Sequence, residues 1–186
     1  MRSMGPEVAF IGRSNAGKSS LINAVLNRRD LAKTSKTPGR TRHAVVYGSV
    51  FIKEKNAAEM TLVDLPGFGF ASMSKDEALQ CEELIRSYVN NRKQLQAIVL
   101  AMDIRRSIGE REEMIISSAK KRLVPLLLVL TKSDKLSLAE RKPSKMRISR
   151  EACIECQSVL LHSINNENDQ KPILEWIFKN ALSVLA

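Results

Sequence analysis

The chain has 186 residues, 44% of them hydrophobic, which is enough to bury a core and too many for a disordered chain. Its longest apolar run, Leu126–Leu130, is far too short to span a membrane. Lys and Arg (30) outnumber Asp and Glu (20), giving a net charge of +10 that points to a polyanionic partner; aromatics are only 4%, which disfavours stacking on single strands.

Read from the N-terminus, Met1–Pro6 lacks the apolar stretch of a secretory signal, so a cytoplasmic location is expected. Glu7–Ile11 reads as a buried strand. It runs into Gly12-Arg13-Ser14-Asn15-Ala16-Gly17-Lys18-Ser19, which matches the phosphate-loop pattern G-x-x-x-x-G-K-[ST], and Lys18–Leu26 follows as an amphipathic helix. That strand–loop–helix context is what the motif requires. The glycines let backbone N–H groups converge on an anion, and the helix adds its positive N-terminal end. Lys18 is placed for the outer phosphates and the Ser19 hydroxyl for Mg²⁺, with Ser20 completing the cradle.

Asp30–Arg42, rich in Lys, Thr, Ser, Pro and Gly, reads as a mobile loop. His43–Ile52 and Glu59–Asp64 read as strands joined by a turn over Lys53–Ala58, and the short connection makes them antiparallel. Ser74–Asn91 reads as a helix, Ala97–Met102 as a buried strand, Gly109–Arg122 as a helix and Pro125–Thr131 as a strand. Leu138–Ala152 is a helix that Pro143 should break or restart. Ser158–His162 is the last strand and Lys171–Leu182 the last helix. Alternation of this kind after a phosphate loop predicts a three-layer α/β P-loop NTPase fold: a six-stranded, mostly parallel sheet with one antiparallel strand and helices on both faces. No linker or repeat divides residues 1–186, so a single domain and a monomer are expected.

A phosphate loop does not choose a base; three later segments do. Asp64-Leu65-Pro66-Gly67 ends a strand, where the carboxylate can hold the magnesium shell through water and the Gly67 N–H can face a γ-phosphate. Thr131-Lys132-Ser133-Asp134 ends another, and Asp134 can accept two hydrogen bonds from guanine's N1–H and exocyclic amine, a donor pair adenine lacks. Lys132 can lay its aliphatic stem along the base. Leu161-His162-Ser163 closes the last strand. All three fall at strand carboxyl ends, where open α/β sheets bind ligands. In the loop before them, Thr37-Pro38-Gly39-Arg40-Thr41, followed by Arg42 and His43, offers a threonine that completes the magnesium shell only when the γ-phosphate is present, which makes the loop a switch.

Two segments concentrate the positive charge. One carries Arg28, Arg29, Lys33, Lys36, Arg40 and Arg42 against Asp30; the other carries Arg141, Lys142, Lys145, Arg147 and Arg150 with no acid. Contact with the phosphates of folded RNA explains this excess better than a merely solvated face. Three cysteines make no disulfide framework, and Cys153-Ile154-Glu155-Cys156 lacks two further ligands for zinc, so ordinary buried thiols are expected.

The strings Glu7–Asn23, Thr37–Thr41 and Asp64-Leu65-Pro66-Gly67-Phe68-Gly69-Phe70-Ala71, together with Thr131-Lys132-Ser133-Asp134, resemble the EngB (YihA/YsxC) GTPases over about Glu7–Phe178. The resemblance implies GTP and GDP binding with Mg²⁺, Thr41 beside Ser19 as magnesium ligand, and action on the large ribosomal subunit precursor, both rRNA and ribosomal proteins, with a link to cell division and septation. The sequence departs from the family pattern in three places. Little of the usual segment before the first strand is present, His162-Ser163 stands where Ser-Ser is usual, and Pro143 lies in a helix that members keep.

Lys18, Thr41 and Gly67 are the expected catalytic contacts. Phe68 occupies the position where Ras-like switches carry a water-orienting Gln, so slow intrinsic hydrolysis is expected. Asn15 either ligates K⁺ or only shapes the loop; Arg40 and Arg42 either supply charge at the phosphates or face RNA. The alternative function is a switch for a protein partner at the division septum without rRNA contact. A nucleotide kinase is disfavoured because no lid or acceptor segment follows the phosphate loop.

Overall fold

The computed structural model describes residues 5–28, 31–32, 44–53, 56–69 and 73–181. Its strands are β1 (Glu7–Gly12), β2 (Val45–Lys53), β3 (Asn56–Asp64), β4 (Leu95–Asp103), β5 (Leu126–Thr131) and β6 (Val159–Leu161). Its helices are α1 (Lys18–Val25), α2 (Lys75–Asn91), α3 (Glu110–Lys121), α4 (Leu138–Glu151) and α5 (Gln170–Ala181). The strands form one sheet in the order β2-β3-β1-β4-β5-β6, and only the β2–β3 pairing is antiparallel.

The alternation of each inner strand divides the core in two. Val8 and Phe10 of β1, Val99 of β4 and Val129 of β5 face α1 and α5, meeting Leu21, Ile22, Ile173 and Ile177. Ala9 and Ile11, Leu100 and Leu130 face the other way, onto Ile85 of α2, Ile115 of α3 and Ile148 of α4. Side chains two apart share a face and neighbours oppose, so a continuous apolar strand fills both layers. Register then brings one end of every inner strand to the same rim: Phe10 pairs with Asp64, Gly12 with Ala101, Asp103 with Thr131 and Leu130 with Leu161.

Two expectations need correction. The turn expected over Lys53–Ala58 is too long, because Lys53 already pairs with Asn56 and β3 begins there. The ladder overrides the weak strand propensity of Asn56, Ala57 and Ala58. Pro143 neither breaks nor starts a helix; it lies inside α4. Both ends of α4 are pinned around it. A capping box of Ser137 and Glu140 closes the first turn, while Ile148 is fully buried and the Ser149 hydroxyl donates to the Ile154 carbonyl at 2.6 Å. Pro143 sits on the exposed side, so its cost is mainly one missing bond to the Ala139 carbonyl.

Pro143→Ala should therefore stabilise the protein by about 1–3 kcal/mol, since it restores that bond without touching the core. A rise in the thermal midpoint checks this.

Candidate nucleotide-binding site

The rim formed by the strand ends carries the phosphate loop. Gly17 caps α1 at φ 81°, in the left-handed region that glycine tolerates, and no side chain caps the helix. The first bond inside the helix runs from the Leu21 N–H to the Gly17 carbonyl at 3.0 Å. The N–H groups of Lys18, Ser19 and Ser20 thus lie outside the helix's own ladder, at its positive end. Asn15 is also left-handed, at φ 63°. This donor set fits a phosphate.

Two side chains at the end of β5 hold the loop in that shape. The Thr131 hydroxyl lies 2.5 Å from the Ala16 carbonyl and 3.1 Å from that of Met102. The Lys132 ammonium donates to the Asn15 carbonyl at 2.7 Å and pairs with Asp103 at 3.1 Å. Burial pushes Asp103 up, but the bonds from Arg105 and Lys132 outweigh it and hold its carboxyl well below the usual range.

Beyond them, the Ser163 hydroxyl donates to Asp134 at 3.0 Å, and the Ser163 N–H donates to Asp169 at 2.9 Å. The Ser133 N–H bonds the His162 carbonyl at 3.2 Å, so Thr131–Asp134 and Leu161–Ser163 are locked side by side. Burial raises the Asp134 carboxyl; the Ser163 bond, a backbone N–H and Lys135 more than reverse this and keep it below its ordinary value. Asp134 is an ionised acceptor presented at the rim.

Asp64-Leu65-Pro66-Gly67 lies directly on the phosphate loop. The Ser14 N–H donates to the Phe68 carbonyl at 2.9 Å, and the Ser14 hydroxyl to the Gly67 carbonyl at 3.3 Å. A side chain at residue 67 would meet Ser14 at 3.0 Å, which is why glycine stands there. Lys18 and Asp64 bond each other directly, both buried. Phe68 is 2% exposed, packed into the core beneath the loop.

The structure therefore brings together Gly12–Ser20, Asp64–Gly67, Thr131–Asp134 and Leu161–Ser163. Gly39, Arg40, Thr41, Arg42 and His43 lie outside the described residues, as do Arg29, Asp30, Lys33, Lys36, Phe70 and Ala71. The expectation of buried thiols holds for Cys81 but not for Cys153 and Cys156, which are exposed because they lie in the surface connection between α4 and β6 rather than on an element facing the core. Among the described residues no cluster of three His, Cys, Asp or Glu could hold a metal by itself, and no helix is long and apolar enough to cross a membrane.

A family model described as 50S ribosome-binding GTPase matches residues 7–132. A protein of Buchnera aphidicola named "Probable GTP-binding protein EngB" is 43% identical over 147 residues, 79% of this chain and 61% of that protein. One of the same name from Bdellovibrio bacteriovorus is 38% identical over 174 residues, 94% of this chain and 82% of that protein. The chain belongs to the EngB family of GTP-binding proteins. Its match spans under two thirds of the length of the Buchnera protein. Solved structures agree on the fold. A crystal structure titled as a probable EngB superimposes with TM-score 0.71 at 22% identity, covering 94% of this chain and all of that one. Era of Aquifex aeolicus bound to GDP and aluminium fluoride gives 0.73 at 23% identity, covering 94% of this chain and 56% of that one.

Sequence reading of this EngB-family chain missed Asp103, Asp169 and Glu112. Asp103 ends β4, so the strand-end rule pointed to it. Asp169 and Glu112 sit at or near helix N-termini, where acids are common for dipole reasons alone, and carried no distinguishing signal.

Burial lowers the His162 imidazole below its ordinary value, with Asp169 and Asp134 pulling partly back. The unfolded chain binds that proton first, below about pH 6.5, so stability should fall as pH drops from about 7 to 5. Asp103 and Asp134, held low, titrate below that window. Thermal midpoints across this range should decline in the wild type and flatten in His162→Asn.

Proposed function

We propose that this chain acts throughout its length as one G domain: a monomeric, cytoplasmic GTP-binding switch with slow intrinsic hydrolysis, working on the large ribosomal subunit precursor. One observation carries the nucleotide reading. The strand end that presents Asp134 also fastens the phosphate loop through Thr131 and Lys132, so base and phosphates are read by one rigid frame. Guanine's N1–H and amine are donors that an ionised, Ser163-held Asp134 accepts; adenine offers no such pair.

The N–H groups at the start of α1 and the Lys18 ammonium neutralise the phosphates, for which Lys18 must exchange its bond to Asp64. Ser19, Thr41 and, through water, Asp64 are the residues that would hold Mg²⁺, which when bound would supply positive charge at the phosphates. Gly67 would offer its N–H to the terminal phosphate, and Thr41 is the residue of the loop sequence that would respond to it. Phe68, buried in the core, cannot orient water, which supports slow turnover in the absence of an activator.

The family model's description and the basic face of α4 support the ribosomal reading, and the family's link to septation comes with it. Lys142, Arg147 and Arg150 are exposed on that helix, and Arg106 lies exposed on the adjoining loop. Such charges read phosphates through counterion release, so affinity must fall with salt.

Asp134→Asn should weaken GTP binding by about 100-fold or more, because the amide turns an N–H donor toward guanine's own donors, and should shift preference toward xanthosine triphosphate, whose C2 oxygen accepts it. Isothermal calorimetry with GTP, XTP and ATP checks this, and wild-type affinity for ATP equal to that for GTP would refute the reading. The triple reversal Lys142→Glu, Lys145→Glu, Arg150→Glu should abolish GTP-dependent cosedimentation with large subunits while leaving GTP affinity unchanged. Retained cosedimentation would move the contact off α4 and favour a protein partner.

A further inference from the structure

We propose that Glu112 on α3 is a positioning residue that holds Phe68–Gly69 down on the phosphate loop through Arg13, and thereby sets the balance between guanosine triphosphate and diphosphate. The proposal rests on the switch reading above.

Glu112 is 2% exposed, whereas Glu110 and Glu113 on the same first turn are exposed and suffice for the helix dipole. A buried carboxylate is costly unless paired. The Arg13 guanidinium is the partner, with Nε 3.3 Å from Oε1. A Cβ at residue 109 would come within 3.2 Å of Oε2, so Gly109 makes the room the carboxylate occupies. Neither Arg13 Nε nor Glu112 Oε2 has a hydrogen bond of good geometry. Charge holds the pair rather than an aligned bond, so it can reseat when its neighbours shift.

That neighbour is the segment after Asp64. A Cβ at Gly69 would meet Arg13 Nε at 3.4 Å, so the Gly69 backbone lies against the guanidinium stem. Arg13 also forms a parallel bridge with Phe68, and Gly67 packs on Ser14. Arg13 therefore grips the segment from below, and Glu112 anchors Arg13 from α3. In this arrangement Lys18 is bonded to Asp64. A triphosphate, which needs Lys18 and the Gly67 N–H, competes with these contacts; a diphosphate demands less of them. Glu112 pairs with Arg13 at the start of the phosphate loop, so its effect on nucleotide preference is passed on through Arg13.

Glu112→Gln keeps the shape and removes the charge. The ratio of affinities for a non-hydrolysable GTP analogue over GDP, measured with fluorescent nucleotides, should rise by about fivefold or more. Arg13→Gln should shift the ratio the same way, and the double variant no further than either single one. Should Glu112→Gln fail to fold, Arg13→Gln carries the same expectation alone. A purely structural Glu112 would weaken both nucleotides equally and lower the thermal midpoint; an unmoved ratio overturns the proposal. A wild type that binds neither nucleotide removes the functional reading itself, whereas a wild type that binds both beside an unmoved ratio removes only Glu112's role.

Discussion

The arrangement of this site depends on the grip of β5 on the phosphate loop. A loop with left-handed residues at Asn15 and Gly17 is poorly defined by its own sequence, since only Gly17 tolerates that conformation without cost. The Thr131 hydroxyl and the Lys132 ammonium reach the carbonyls of Ala16 and Asn15 and over-determine it. Removing the hydroxyl would strand a buried carbonyl, at about 1–3 kcal/mol. The same four-residue stretch ends in Asp134, so the distance between that carboxylate and the phosphate loop is fixed by backbone. A site pre-organised in this way spends little ordering free energy when it binds.

Lys18 and Asp64 show the opposite strategy. Both are buried, and each satisfies the other. A buried ion pair is a poor source of net stability, because desolvation offsets most of the attraction, while either charge alone would be strongly unfavourable. Phosphates and a divalent cation are a second pair of charges that can replace both partners at once. The pairing therefore keeps two functional charges tolerable inside the rim without committing much free energy against their release.

The fold was legible because its signals were redundant. Unbroken apolar runs such as Leu126–Leu130 marked inner strands, and the phosphate-loop glycines marked the turn between β1 and α1. Errors fell where long-range contacts overrule local preference. Pro143 is a helix breaker by propensity, yet α4 runs through it because Ser137–Glu140 and Ile148 anchor both sides. Asn56–Ala58 look like a turn, yet pairing to β2 makes them strand. Lys18 and Asp64 bond each other, and Asp134 follows the end of β5 that holds the phosphate loop. Glu112 and Asp169 could not be picked out, because an acid near a helix start looks the same whether it caps the helix or supports a site.

The basic face and the nucleotide rim are closer in structure than in sequence. Arg147 of α4 donates to the Ser107 hydroxyl at 3.0 Å and to Glu151 at 2.5 Å, and Glu151 in turn accepts the Ile108 N–H at 3.2 Å. Residues 106–108 thus hang between α4 and the first turn of α3. Which of these contacts is the easier to break follows from burial. The Arg147–Glu151 pair is largely exposed, a type of contact that contributes about 0–1 kcal/mol, so a phosphate can take Arg147 at little cost. Asp103, by contrast, is buried and shared between Arg105 and Lys132, and breaking it would strand a carboxylate beside the phosphate loop. Residues 106–108 are therefore held by weaker contacts than the Lys132 clamp beside the phosphate loop.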